Sequence, residues 1–163
     1  MKTETFIRRR LIAAPAEVVF RWHAEPGALH RLIPPWEPVE VVDEGGGLRD
    51  GEEVELRVRV GPIPIRWVSR LSDCEPGRGF RDIQVEGPFA RWEHEHRMVP
   101  AGASASWLED RVTYALPFGV MGRLMGSDLV RHKLDKMFEY RHRVTVESLA
   151  AGRIRGRVDG EAP

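Results

Sequence analysis

The segment 52–60 constrains the fold of this chain more than any other feature. Apolar residues occupy every second position, at Val54, Leu56, Val58 and Val60, and charged residues separate them. Successive side chains of a β-strand point to opposite faces, so this alternation predicts a strand with one buried and one solvent-exposed face. Such a strand requires neighbours in a sheet and a second layer that covers its apolar face.

Turn residues divide much of the chain into further strands of this kind. Gly61-Pro62, Pro76-Gly77, Gly87-Pro88 and Ala101-Gly102 each stand where a tight turn would separate two strands. The strands predicted beside 52–60 cover 1–13, 65–71, 80–86, the segment around 92–96, and 107–116. Consecutive short strands with turns between them predict an antiparallel meander.

Helices are predicted on both sides of this meander. Ala14-Pro15-Ala16-Glu17 begins a short helix with Val19 and Phe20 on its apolar side, and a second short helix covers 28–33. A long helix is predicted over 120–147, where apolar residues recur at spacings of three and four. The concave face of the meander is its available partner, so we expect an α+β fold in which a curved antiparallel sheet wraps around the C-terminal helix.

The strand at 91–96 has an unusual composition. Trp92, His94 and His96 share one face by alternation, and the charged residues 91, 93 and 95 share the other. Indole and imidazole rings combine an apolar body with a polar edge, which suits the wall of a half-apolar ligand cavity. Alternation places Trp67 and Tyr114 on the inner faces of their own strands, and we expect them to line the same cavity.

Two other interpretations of the histidine pair remain open. In one, both imidazoles are hydrogen-bonded in the core or face water, because alternation alone does not fix the register of a strand. In the other, the pair holds a metal ion, but a metal site needs at least a third ligand, and the same segment supplies none. We therefore expect no tightly bound metal and no cofactor.

Asp110 and Asp82 carry carboxylates on faces that otherwise point inward. Burial in an apolar cavity raises the pKa of a carboxyl group unless a partner stabilises its charge. Convergence of these residues with the histidines would form a proton-transfer site for an aldol-type cyclisation or a dehydration. The alternative is a buried ion pair that fixes strand register, with Arg141 of the long helix as the expected partner of Asp110 or Asp82.

Composition excludes several classes of function. Lysine plus arginine and aspartate plus glutamate number 25 each, so net charge gives no overall attraction to nucleic acid. No apolar run approaches the roughly 20 residues of a membrane span. The single cysteine, Cys74, lies among acidic residues that would raise its thiol pKa, and together with the lack of an apolar leader it indicates a cytoplasmic protein.

A series of short motifs adds a family resemblance. In chain order they are Leu11-Ile12-Ala13-Ala14-Pro15-Ala16-Glu17-Val18-Val19-Phe20, Trp22-His23, Pro26-Gly27-Ala28-Leu29, Pro34-Pro35-Trp36-Glu37, Asp50-Gly51, Phe80-Arg81-Asp82, Gly87-Pro88-Phe89 with Trp92-x-His94-x-His96, Asp110-x-Val112-x-Tyr114-x-Leu116-Pro117, and Phe138-x-Tyr140-Arg141. Over 3–149 the chain resembles the START-like or SRPBCC superfamily, in particular its polyketide cyclase/dehydrase and coenzyme Q-binding members. It also resembles the domain that some bacteria fuse to an epimerase-like domain of the cell-division-inhibitor type.

The resemblance implies a helix-grip fold with a hydrophobic cavity between the sheet and the long helix. We expect one ligand-binding domain over 1–150 and a disordered tail over 151–163. The expected ligand-binding residues are Trp67, Asp82, Trp92, His94, His96, Asp110, Tyr114 and Arg141. Three functions stay open: binding or transport of a lipid, quinone or polyketide-like molecule, cyclase or dehydratase chemistry in the same cavity, and a ligand-regulated module that binds a protein partner in trans.

Overall fold

The structure is a computed structural model that describes residues 2–119, 122 and 125–158, with side chains through residue 152. Strands and helices follow the order expected from the sequence. The strands are β1 (Glu4–Ile12), β2 (Glu40–Asp43), β3 (Glu53–Val60), β4 (Ile63–Glu75), β5 (Gly79–Glu86), β6 (Arg91–Pro100) and β7 (Ser106–Ala115). The helices α1 (Ala16–His23) and α2 (Ala28–Leu32) follow β1, and α3 (Ser127–Val158) lies near the C-terminus.

The strands form one antiparallel sheet in the order β1-β7-β6-β5-β4-β3-β2. Consecutive strands from β2 to β7 pair with each other, and β1 completes the sheet by pairing with β7. This arrangement and the long helix α3 confirm the α+β, helix-grip fold. The sequence missed β2, whose four residues are too few to show a clear alternation.

Strand register brings polar residues of three strands into two neighbouring cross-strand rows. His94 of β6 pairs with Asp82 of β5 on one side and with Val112 of β7 on the other. His96 of β6 pairs with Asp110 of β7. Because residues two apart on a strand share a face, both imidazoles and both carboxylates lie on the concave side of the sheet.

Helix α3 covers this concave face. Val130, Leu134 and Phe138 are buried on it, and the same stripe continues to Thr145 and Leu149. The helix predicted from about residue 120 is interrupted: residues 119, 122 and 125 are helical, and α3 begins at Ser127, after Gly126 with a φ of 58°. Residues 120, 121, 123 and 124 of the predicted helix lie outside the described residues.

The end of α3 also differs from the sequence prediction. The helix passes residue 147 and extends to Val158, so it includes residues 151–158 of the segment expected to be a disordered tail. No proline occurs between Ser127 and Val158, and nothing else in that stretch blocks helical hydrogen bonding. Residues 159–163 lie outside the described residues.

The hydrophobic core has two parts, with histidines between them. One part packs α1 against the sheet through residues such as Val19 and Phe80, and the other packs α3 against Phe6 and Trp92. The His96 ring stacks on Phe80 with ring centroids 4.0 Å apart. No helix in the described part of the chain is long and apolar enough to cross a membrane.

Candidate functional site

A large cavity lies between the concave face of the sheet and helix α3. Its volume is about 690 Å³, within the range of roughly 300–1,000 Å³ that is typical of small-molecule sites. Strand β3 supplies Val54, Leu56, Val58 and Val60, the alternating apolar residues of the segment 52–60. These side chains are only half-buried, because they face the cavity and are not enclosed by packed side chains.

The apolar wall of the cavity is rich in aromatic and methionine side chains. Trp67, Phe89 and Trp92 form an edge-to-face group with ring centroids 4.8–5.6 Å apart. Leu134 and Met137 of α3, with Met125 just before this helix, contribute another part of the wall. Large rings beside flexible thioethers provide an apolar surface that adapts to the shape of a ligand.

A polar group, which we call the His-Asp cluster, forms another part of the wall. Its members are Asp82, His94, His96, Asp110 and His142. Asp82 Oδ2 lies 3.1 Å from His94 Nδ1 and 3.3 Å from His96 Nε2. Asp110 Oδ1 lies 2.8 Å from His94 Nε2 and 3.0 Å from His96 Nδ1, so each imidazole lies between two carboxylates.

The five members have different access to the cavity. Asp82, His94 and His96 line it, whereas Asp110 and His142 lie behind them. His142 of α3 is 1% exposed and hydrogen-bonds Asp110 Oδ2 through its Nε2 atom. The helix is therefore tied to the sheet by a buried charge-assisted hydrogen bond, and Asp110 is held by histidines from both layers.

The charges in the cluster stabilise each other. Burial alone would lower the pKa of His94, but the carboxylates of Asp82 and Asp110 outweigh this effect and raise it to about 9. Burial would raise the pKa of Asp110, but hydrogen bonds from His142, His94 and His96 hold it well below its usual value. The expectation that an unpaired Asp110 would have a raised pKa is thus corrected, because histidines supply its partners.

Asp82 is stabilised in the same way. Burial opposes its ionisation, yet the charge of His94 and hydrogen bonds from both imidazoles keep the pKa of Asp82 below its usual value. Asp82 is therefore a carboxylate on the cavity wall. It presents acceptor oxygens at a point where the surrounding wall is mainly apolar.

Three members of the cluster also have the arrangement of metal ligands. One ligand atom from each of Asp82, His94 and His96 lies within 4.8 Å of the other two. The sequence segment that contains the histidine pair supplies no third ligand. Pairing of β5 with β6 supplies that third ligand from a different strand, which the spacing within one segment does not reveal.

Arg141 does not pair with either carboxylate as expected. Its Nε donates to the backbone carbonyl of Leu32, 3.2 Å away, and its guanidinium lies over the Phe138 ring. Burial lowers the pKa of Arg141, while the charges of Asp110 and Asp82 oppose that shift. The side chain lines the cavity, so it offers a positive charge to a ligand there.

Two expected site residues, Tyr114 and Asp110, do not line the cavity. Trp67 and Trp92 line it as expected, but Tyr114 is buried within the sheet core. Its hydroxyl donates to Glu4 Oε2 over 3.0 Å, which connects β7 to β1. Asp110 likewise reaches the cavity only through the histidines in front of it.

Sequence reasoning missed two histidines of the site. His142 follows Leu134 and Phe138 at spacings of four on the buried stripe of α3. That spacing could have identified it. His23 at the end of α1 also lines the cavity, with its ring centroid 6.3 Å from that of His96.

Cys74 lies in β4, outside the cavity wall. Burial and the neighbouring Asp50 raise the pKa of its thiol to about 11. The direction of this shift agrees with the sequence prediction, although burial contributes more to it than the acidic neighbours do.

The fold is similar to that of several solved structures. The chain is 25% identical to the Zhui aromatase/cyclase from Streptomyces sp. R1128, with 99% of this chain and all of that one covered and a TM-score of 0.67. It is 16% identical to a START superfamily protein from Mycobacterium smegmatis, covering 89% and 98% of the two chains with a TM-score of 0.62. The second likeness concerns the fold alone.

A third structure matches over part of its length. The nucleoside-diphosphate sugar epimerase from Corynebacterium glutamicum is 25% identical, with a TM-score of 0.68. The match covers 89% of this chain and 29% of the epimerase. This agrees with the resemblance to a domain fused to an epimerase.

No curated protein sequence is significantly similar to the chain. The model of one family does match, over residues 12–138, and that family is described as polyketide cyclase/dehydrase and lipid transport. The matched residues begin at the last residue of β1 and include α1, α2, strands β2 to β7 and α3 as far as Phe138. The chain belongs to the polyketide cyclase/dehydrase and lipid transport family of the START-like superfamily.

Proposed function

We propose that this protein binds one hydrophobic or aromatic small molecule in the cavity between the sheet and helix α3. The observation that carries the proposal is the cavity itself, whose volume of about 690 Å³ is large enough for a molecule of drug-like size. Membership of a family that includes lipid transport supports an apolar ligand. The aromatic group of Trp67, Phe89 and Trp92 supplies the broad apolar surface for it.

The ligand should carry at least one polar group. Asp82, His94 and His96 lie on the wall, and the indole N–H of Trp92 has no hydrogen-bond partner among the described residues. Buried donors and acceptors in folded proteins are normally paired, so a ligand oxygen would satisfy a group that the chain leaves open. A quinone, an acyl chain with a polar head, or a polyketide-like molecule has this combination.

Native mass spectrometry of the purified chain tests this proposal. The wild-type protein, after incubation with an apolar extract of cells, should carry one small molecule per chain. Val58→Phe puts a larger side chain into the cavity and should lower the bound fraction or the affinity by at least about tenfold, or about 1.4 kcal/mol. The matched control is Val85→Phe, because Val85 is 52% exposed and lies outside the cavity.

Two outcomes would contradict the proposal. Equal loading of wild-type protein and Val58→Phe would place the ligand elsewhere on the molecule. If the wild-type chain carries no small molecule after incubation with the extract, the proposal that it binds an apolar ligand is wrong. Circular dichroism of both variants should match the wild type, so that a folding defect is recognised.

A second candidate function is cyclisation or dehydration of a polyketide-like substrate. The specific support is that the cavity wall contains a carboxylate and two imidazoles, groups able to exchange a proton with a carbonyl or enol oxygen. The 25% identity to an aromatase/cyclase over 99% of the chain supports the same candidate. Incubation with a poly-β-ketone thioester distinguishes the two functions, since a binder returns the thioester unchanged and a cyclase yields a cyclised product.

A further inference from the structure

We propose that Asp82, His94 and His96 form a binding site for one divalent transition-metal ion of the zinc type. The site lies on the wall of the cavity and uses Asp82 Oδ2, His94 Nδ1 and His96 Nε2 as ligand atoms. Two imidazoles and one carboxylate are a ligand set used by protein sites that keep a coordination position open. The proposal does not depend on which ligand fills the cavity.

The distances among the ligand atoms fit a coordination sphere. Asp82 Oδ2 is 3.1 Å from His94 Nδ1 and 3.3 Å from His96 Nε2. Bonds of about 2.0–2.2 Å in a tetrahedral site place neighbouring ligand atoms roughly 3.3 Å apart. Two edges of the coordination sphere are therefore already close to this length.

The opposite nitrogens of both imidazoles meet one carboxylate. His94 Nε2 donates to Asp110 Oδ1 at 2.8 Å, and His96 Nδ1 lies 3.0 Å from the same oxygen. A metal-bound histidine commonly donates its other N–H to a carboxylate, which fixes the ring and its tautomer. Asp110, held in turn by His142, is thus placed to orient His94, whereas His96 Nδ1 lies near the same carboxylate without a hydrogen-bond partner among the described residues.

Strand pairing gives this site a rigid frame. His94 and His96 lie two residues apart on β6, and Asp82 pairs directly with His94 from the neighbouring strand β5. A site built on paired strands keeps its geometry better than a site on loops. The carboxylates of Asp82 and Asp110 together balance the charge of a divalent ion in this buried position.

The remaining coordination position faces the cavity. Asp82, His94 and His96 line the cavity, whereas Asp110 and His142 close the opposite side. An oxygen atom of a bound molecule, or a water molecule, would complete the coordination sphere from there. Borderline nitrogen ligands with one carboxylate favour zinc and its first-row neighbours over calcium or magnesium.

Metal titration of the chelator-treated full chain tests this proposal with zinc and cobalt chloride alone. Calorimetry should show one equivalent of Zn²⁺ bound per chain. Bound Co²⁺ should give the strong visible absorption of a four- or five-coordinate site, and Zn²⁺ should abolish it. Asp82→Asn and His94→Gln should each weaken Zn²⁺ binding by at least about tenfold.

Two control variants distinguish this site from adventitious binding. Glu95→Gln changes the residue between the two histidines, whose side chain is on the other face of β6. His30→Gln removes an exposed histidine that contacts Glu44 at the surface. Both should keep wild-type affinity.

The proposal fails if Zn²⁺ and Co²⁺ show no saturable binding. It also fails if Asp82→Asn binds Zn²⁺ as tightly as the wild type does. X-ray absorption at the zinc edge of the loaded wild-type protein gives a test that needs no variant. Two imidazoles in the first coordination shell support the site, and a spectrum of oxygen ligands alone contradicts it.

Discussion

His23 shows how one residue of the cavity wall depends on its surroundings. Its Nδ1 atom donates to the carbonyl oxygen of Val19, 2.8 Å away, which fixes the position of the ring at the end of α1. Burial lowers its pKa to about 4, and the nearby His96 and His142 add to this shift. The hydrogen bond to Val19 and the charge of Asp110 oppose the shift without cancelling it.

This lowered pKa predicts a loss of stability in weak acid. Below about pH 6.5 the unfolded chain protonates His23, and the folded chain does not do so until about pH 4. The free energy of unfolding should therefore fall across that window, by at most about 3 kcal/mol from this residue. His23→Gln keeps a donor for the Val19 carbonyl but has no group that titrates there. The free energy of unfolding of this variant should therefore fall less than that of the wild type over the same pH window.

Urea unfolding at several pH values between about 7 and 4 measures the difference between the two slopes. Other titrating groups contribute equally to both proteins and cancel in the comparison. Parallel slopes for the wild type and His23→Gln would show that His23 titrates in the folded state as it does in the unfolded chain.

At the scale of residues, alternation predicted which side chains of β6 point inward but not what they meet. Trp92, His94 and His96 share the concave face, as their spacing indicates. The partner of Asp110 was wrongly expected to be Arg141, because helical spacing placed both Arg141 and His142 near the sheet. Only the packing of α3 on β7 decides that His142 reaches Asp110.

At the scale of elements, the contact of β5 with β6 depends on Gly79. A Cβ atom at this position would lie 2.1 Å from the backbone carbonyl oxygen of His96. No side chain fits there unless the two strands separate. The same contact sets the position of His96. Both the pairing of β5 with β6 and the placement of His96 in the site therefore require the absence of a side chain at residue 79.

Gly79→Ala should therefore destabilise the protein by about 2 kcal/mol or more, because the backbone of one strand must move. Chemical denaturation measures this loss. Gly152→Ala is a suitable control, since a Cβ in that part of α3 would meet nothing within 4 Å, and alanine should stabilise the helix by about 0.5–1 kcal/mol. Equal stability of Gly79→Ala and the wild type would contradict the close approach.

The elements were predictable to different degrees. Strand β3 and its neighbours follow from alternation and turn residues, because one face is charged and the other apolar. Gly126 marks the observed start of α3, but the apolar spacing continues on both sides of it and predicts one longer helix. The pairing of Asp82 with His94 and of His96 with Asp110 depends on register, which a single sequence leaves open.

At the scale of the whole molecule, the cavity results from how the sheet and the helix meet. The β6 and β7 side of the sheet packs closely on α3 through Val112 and Phe138. The β3 side stands away from the helix, and its apolar residues line open space. The proposed ligand binds in this space, and its binding requires no change in the packed half of the fold.

Tryptophan fluorescence during ligand titration tests this claim most directly. Trp67 lies on the cavity wall, while Trp36 is 52% exposed and packs on Tyr140 outside it. A naphthoquinone, a long-chain fatty acid and a polycyclic aromatic form the test panel. At least one should shift the emission with single-site saturation, and Trp67→Phe should reduce that shift while Trp36→Phe leaves it unchanged. Absence of any shift with all three ligands, or a shift lost only in Trp36→Phe, would contradict binding in the cavity.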